Sequence, residues 1–260
     1  IHPDHAYILL VGKGSEIAPK LERFGEVKYY DIYGNPYTPS TQASLPADLT
    51  VEKVIQDYIQ ALGGLEKINA VNSYKVSSKA SVPGAELVIN NYWKKPNKIS
   101  VEISANGNLF QTVKSDGKEV SIEMMGQKSP VDDATREQTL FESYIVPELV
   151  YEKAGVTLKL QGVEKVEDKD AYAIEYTYPS GSTATSYFDT ESGLKIKSVR
   201  VVKTPQGEVT QSTRYADYEE KGGVKFPQTV TQDVGPQTLK MEVTSMEVNV
   251  PVEEEVFQIN

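Results

Sequence analysis

From Ser73 onward the 260-residue chain leaves the helical period and adopts a period of two. That switch constrains the fold more than any other feature. Ile99, Val101 and Ile103 alternate with Lys98, Ser100 and Glu102, and Tyr172, Ile174, Tyr176 and Tyr178 alternate with Ala171, Ala173, Glu175 and Thr177. Side chains two apart share a strand face, so each segment has one buried and one wet face, as antiparallel strands do. The pattern predicts strands over 73–82, 86–94, 98–105, 109–115, 118–124, 157–166, 171–178, 183–189, 194–203, 208–218, 224–233 and 238–249. Turn pairs such as Pro83-Gly84, Asp116-Gly117, Ser192-Gly193 and Gly222-Gly223 separate them. The 16 Tyr against 6 Phe suit strands in which one end of the ring stays wet.

Two helical segments accompany the strands. Thr50 caps a helix in which Val51, Val54, Ile55, Tyr58, Ile59 and Leu62 form one face, and Gly63-Gly64 stops it. Residues 132–154 break the alternation. Asp132 or Asp133 can cap a helix over 133–145 that carries Ala134, Leu140, Phe141, Tyr144 and Ile145; Pro147 ends it, and Leu149-Val150-Tyr151 follows. Eleven or twelve hairpin-linked strands are too many to stay flat and open. The sheet must curl, and its concave face is the place for both helices, which gives a mainly β, half-open barrel with a helical plug or lid.

The first 34 residues follow a different rule. Ala6 to Val11 is a continuous apolar run that suits a fully buried strand, Ile17, Leu21 and Phe24 share a helix face, and Val27 to Ile32 is a second strand. One helix and two strands cannot cover a buried strand on both faces, so residues 1–34 are expected to be an incomplete α/β piece of a larger domain. Residues 35–47, with three prolines, form a linker to a β domain over 48–260. The chain begins with Ile1 and shows no signal-peptide pattern, which leads us to expect a fragment or a processed product.

The net charge of −10 repels nucleic-acid phosphates, so no nucleic-acid partner is expected. No apolar run approaches the length of a membrane span. The absence of cysteine removes disulfides, thiol nucleophiles and thiolate metal ligands. The only histidines, His2 and His5, flank Pro3 and have no helix to present a metal. A Ser-His-Asp triad is therefore impossible in the β domain. The paired carboxylates Asp132-Asp133 and Glu219-Glu220 read as solvated charge. Gly12-Lys13-Gly14 lacks the third glycine of a dinucleotide fingerprint, because position 17 is Ile. No catalytic residue, cofactor or metal is expected.

The run Tyr92-Trp93-Lys94-Lys95-Pro96-Asn97, the turn Ser115-Asp116-Gly117-Lys118 and the hairpin Phe188-Asp189-Thr190-Glu191-Ser192-Gly193-Leu194-Lys195 follow an amphipathic helix in that order. In this respect the chain from about residue 50 to 260 resembles the LolA/LolB-like periplasmic lipoprotein carriers. The resemblance implies a curled sheet with a helical lid, a cavity for lipoprotein acyl chains, and a periplasmic or envelope location. Those carriers place an Arg directly before the Pro of this run, where it helps to hold the lid closed. Lys95 stands there in this chain and cannot make the forked guanidinium contact. The segments His2-Pro3-Asp4-His5-Ala6, Ile8 to Gly12, Phe24-Gly25-Glu26-Val27 and Asp31-Ile32-Tyr33-Gly34 resemble the last βαβ element of an insulinase-like (pitrilysin family) zinc peptidase domain. That resemblance implies upstream peptidase domains as possible partners and an accessory, substrate-presenting role as an alternative.

The expected function is binding of a lipid, a lipoprotein acyl chain or another apolar ligand. Ile89, Trp93 and Lys95 share strand parity, and Ile99, Val101 and Ile103 share theirs. Together with Met124, Phe141, Tyr144, Leu149 and Tyr151 they are the candidate ligand-binding residues. These side chains either line a cavity mouth or fill the core.

Overall fold

A computed structural model describes residues 9, 10, 21, 24–30, 48–204 and 207–259. The chain divides into two units, Ile1–Ser44 and Leu45–Asn260. In the first, Leu9 and Leu10 are the described residues of the expected buried strand; they are exposed and have no strand conformation. Val27 to Tyr29 are irregular, and Tyr30 makes an isolated bridge. The rest of the expected α/β piece and the linker over 35–47 fall outside the described residues, apart from Leu21 and Phe24-Gly25-Glu26. The peptidase reading therefore stays with the resemblance that suggested it.

The second unit opens with helix α1 (Val51–Leu62) and a short helix α2 (Leu65–Ala70). Thr50 caps α1 as expected, its Oγ1 accepting from the Lys53 N–H at 3.2 Å. Six strands follow: β1 (Ser73–Val82), β2 (Ala85–Lys94), β3 (Lys98–Ala105), β4 (Asn108–Ser115), β5 (Val120–Met124) and β6 (Gln127–Ser129). Helix α3 (Asp133–Glu142) and two single turns of 3-10 helix, Pro147–Leu149 and Glu152–Ala154, form an insertion. Seven strands complete the unit: β7 (Thr157–Val166), β8 (Lys169–Thr177), β9 (Thr183–Asp189), β10 (Lys195–Thr204), β11 (Gly207–Lys221), β12 (Val224–Val234) and β13 (Gln237–Val248).

All thirteen strands belong to one antiparallel, unclosed sheet in the order β6-β5-β4-β3-β2-β1-β13-β12-β11-β10-β9-β8-β7. Each of the twelve expected strands is present to within a few residues at either end; β6 is the additional one. The chain runs outward from β1 to the β6 edge, passes through the insertion to the β7 edge, and works back until β13 pairs with β1. The insertion thus connects the two free edges of the sheet. Both edges are blunted against further pairing, β6 by its length of three residues and β7 by the bulge at Leu160–Gly162 and its lysines.

The register divides the two faces cleanly. Tyr74 pairs with Trp93 and Val248, Trp93 with Ile99, and Ile99 with Ser115. On the other side Phe188 pairs with Tyr172, Ile174 with Ser186 and Leu160, and Tyr176 with Ala184 and Leu158. These residues share the inner face with α1. Trp93, Ile174, Tyr176 and Phe188 join Val54, Tyr58 and Leu62 in the main core, each at most 5% exposed. Burying each such apolar side chain contributes roughly 1.5–3 kcal/mol. The outer face is polar, as Lys75, Glu102, Thr112 and Glu123 illustrate.

Two close approaches seat α1. A side chain at Gly63, where φ is 127°, would put its Cβ 2.3 Å from the Gly223 carbonyl oxygen in the β11–β12 turn. At Gly193, where φ is 70°, a Cβ would lie 3.1 Å from the Asp57 carbonyl oxygen, in the middle of the helix. Asp189 organises that second hairpin: it accepts from the Glu191 N–H at 2.9 Å, the Ser192 hydroxyl at 3.0 Å and Lys169 Nζ at 2.9 Å. Burial works against its charge, but these donors outweigh it and hold its pKa below the ordinary aspartate value.

Candidate functional site

The inner face has two zones. At one end α1 and the insertion cover it, and the side chains there form the core. Away from that end, the same register carries Val76, Leu87, Ile89, Val101, Ile103 and Ile122 on β1–β5, continued by Met241 and Met246 on β13. Ile89 is buried at 9% exposure, and the others are partly exposed. They form an apolar band that protein covers incompletely. Asn91 shares this face between Val76 and Val101, and its Oδ1 is buried without a hydrogen-bond partner.

The expected site residues separate accordingly. Ile89, Ile99, Val101 and Ile103 line the inner face of β2 and β3 as their parity predicts, and Met124, 40% exposed, extends that face to the β5 edge. Trp93 is a core residue. It stacks on Tyr74 with ring centroids 5.4 Å apart, and its Nε1–H donates to the Ser143 carbonyl at 2.6 Å. Phe141, Leu149 and Tyr151 also belong to the core: Phe141 lies 5.7 Å from Tyr151 and 5.4 Å from Tyr178, centroid to centroid. Tyr144 is half-buried on the insertion. Lys95 is set apart from the rest. It follows the last residue of β2, is exposed, and donates from Nζ to the Asn69 carbonyl at the end of α2, 2.8 Å away. It makes no hydrogen bond to the insertion.

Sequence reasoning missed two polar ties between sheet and insertion. The first is buried. Lys195 Nζ on β10 lies 2.9 Å from Glu148 Oε1, with the side chains 15% and 1% accessible. The Tyr58 ring of α1 lies 5.5 Å from the same ammonium. Burial disfavours the Lys195 charge, but Glu148 and the surrounding tyrosines more than compensate, so its pKa is raised. The second Glu148 oxygen, Oε2, is buried and unpartnered. The other tie is more accessible: Arg200 Nη1 donates to Glu142 Oε1, the last residue of α3, and Arg200 Nε donates to Gln211 Oε1 at 3.1 Å. Both cations sit in strands where a basic residue could equally face solvent, so only the register reveals their side of the sheet.

Two recesses indent the surface away from the band. One, of about 230 Å³, lies between α1 and the β9–β10 hairpin, lined by Asp57, Gln60 and Glu191 among others. The other, of about 180 Å³, lies on the outer face between β3–β5 and the chain end at Gln258-Ile259. Among the described residues no group of three or more His, Cys, Asp or Glu is placed to hold a metal, and no helix is long and apolar enough to cross a membrane.

A thirteen-stranded open sheet curled around a helix, with its edges joined through a helical insertion, is the LolA-like fold. The chain is similar to a LolA superfamily protein from Nitrosomonas europaea, with a TM-score of 0.54 at 13% identity over 81% of this chain and 98% of that one. It is also similar to a DUF1329 family protein from Desulfovibrio piger, with a TM-score of 0.53 at 12% identity over 80% of this chain and 97% of that one. No family model and no curated protein matches the sequence.

Proposed function

We propose that residues 48–260 form a non-catalytic module of the cell envelope that binds the acyl chain of a lipid or lipoprotein. One observation carries this reading: the apolar band through Val76, Leu87, Val101, Ile103 and Ile122 is only partly covered by protein, although the end of the same face under α1 is packed. Apolar side chains on a sheet face ordinarily find a partner layer. Leaving such a band wet costs roughly 25 cal/mol for each Å² that a ligand would cover. An acyl chain laid along the band, with Ile89 and Ile99 at its inner end and Met124 at its rim, supplies the missing layer. Met124 fits this use, because its flexible thioether adapts to irregular apolar shapes. The LolA-like fold and the envelope carriers that the sequence resembles support the same reading.

Native mass spectrometry of protein purified from cells without detergent tests it. The expected result is a population carrying one lipid-sized adduct that organic extraction releases. Protein that emerges free of lipid and also takes up no fluorescent fatty acid would overturn the reading.

A further inference from the structure

Charge on the inner face is confined to one sector. Among the described residues, the inner-face register of β1–β5 and β13 holds no charged side chain. On β10–β12 the same face carries Ser198, Arg200, Gln211, Thr213, Tyr215 and Gln232. A face that is apolar on one side and hydrogen-bonding on the other matches a molecule with a tail and a head.

Two basic groups of β10 stand on this face, and they are not equivalent. Lys195 is enclosed and already neutralised by the buried carboxylate of Glu148. Arg200 retains 24% of its side-chain accessibility. Its approach is fixed from below by Gln211, itself 6% exposed, which accepts from Nε. Ser198 is the next inner-face residue of β10, and its hydroxyl lies 3.1 Å from that of Tyr215. The partner of its outer nitrogen is Glu142, whose side chain is 51% accessible and which ends a helix with no buried residue. The planar N–H fork of a guanidinium fits a carboxylate or phosphate in bidentate fashion. A half-exposed carboxylate at the end of a helix with no fully buried residue is a partner that another anion can replace.

We propose that Arg200 is the head-group residue of the site: it pairs with the carboxylate or phosphate of an anionic amphiphile whose chain lies on the apolar band, and the ligand anion displaces Glu142. This assignment rests on the acyl-chain reading above and specifies its ligand class. It also links binding to the insertion, because α3 loses its tie to β10 when the head arrives.

The test compares anthroyloxy-labelled stearic acid with its methyl ester by fluorescence titration of the full chain, its Arg200→Gln variant and its Glu142→Gln variant. The unmodified protein should bind the acid about tenfold tighter than the ester. Arg200→Gln should bring that ratio to about one and leave the ester affinity unchanged. Glu142→Gln should tighten acid binding by roughly three- to tenfold with no change for the ester, which keeps the test decisive if Arg200→Gln fails to fold. Displacement of the labelled acid by oleate identifies a carboxylate head, and displacement by lysophosphatidic acid a phosphate head. Equal affinity of the unmodified protein for acid and ester, or a preference that survives Arg200→Gln, would overturn the head-group assignment while leaving the acyl-chain reading standing. If neither probe binds, both fall.

Discussion

Two helices rest on the inner face of one sheet, and they are held by opposite means. Helix α1 buries Val54, Tyr58 and Leu62, meets the Phe188 ring edge-on at 5.1 Å through Tyr58, and is approached by glycine backbone at Gly223 and Gly193. Helix α3 buries none of its ten residues. Apart from Phe141 in its last turn, which packs on Tyr151 and Tyr178, its contacts are polar and peripheral: the Asp132 cap, Arg136 to Glu119 at 2.9 Å, Glu137 to the Ser180 N–H at 3.3 Å, and Glu142 to Arg200. The segment after it is anchored again, by the Trp93–Ser143 bond, the Glu148–Lys195 pair and the Tyr151 ring. Helix α1 is thus part of the core, whereas α3 is a cover joined through Phe141 in its last turn to a fixed downstream segment. Such a cover can yield to a ligand without unfolding the protein.

Removing the anchor should have the largest effect. Lys195→Ala leaves a carboxylate buried and alone, and should lower unfolding stability by about 3–5 kcal/mol in urea titration. The paired replacement Lys195→Met with Glu148→Leu should recover most of that loss. If Lys195→Ala costs less than about 1 kcal/mol, the downstream segment is not the fixed point we describe. The contrast between helices sharpens with one truncation in each. Leu62→Ala should cost about 2–5 kcal/mol, and Leu140→Ala on the half-exposed face of α3 about 1 kcal/mol or less. Trp93 is the single tryptophan and lies under the end of α3, so its fluorescence reports both variants. Equal losses at the two positions would erase the distinction.

The smallest effect concerns the turn Glu254–Phe257, which buries Phe257 at its end and carries exposed charge at its start. Glu254 binds Lys94 at 2.8 Å and Lys98 at 2.6 Å, and these hydrogen bonds lower its pKa from 4.5 to about 2. A depressed carboxylate pKa stabilises the folded state above its ordinary value and loses that contribution as the pH falls through the folded one. Hydrogen exchange at Val256 and Gln258 should therefore speed up between pH 4.5 and about 2, beyond the intrinsic trend, and the change should be absent in Glu254→Gln. Exchange at the α1 amides should show no comparable change.

Much of this division was legible in the chain. Period two located twelve strands, and the i, i+3, i+4 face of residues 51–62 predicted the buried plug. β6 escaped because Gln127-Lys128-Ser129 has no apolar alternation to announce it. The parity of Ile99, Val101 and Ile103 put these three on one face of β3, where the register has them, since a strand's faces follow from sequence spacing alone. The helix expected over 133–145 ends instead at Glu142, and Tyr144 and Ile145 fall in the irregular segment beyond it. Lys95 could not be placed by parity, because β2 stops one residue before it. Arg200 with Glu142, and Lys195 with Glu148, join positions 58 and 47 residues apart. Their encounter depends on the insertion crossing between sheet edges, which no local pattern encodes.

The central claim is that the open part of the inner face is a seat for an apolar chain. Its most direct test is a fluorescent fatty acid titrated against the unmodified protein and a Val101→Asp variant, with urea unfolding of both as control. Uptake by the unmodified protein, weakened at least about tenfold by an unpaired carboxylate in the band while the unfolding midpoint changes little, is the predicted result. Uptake unaffected by Val101→Asp, or no uptake at all, would contradict it.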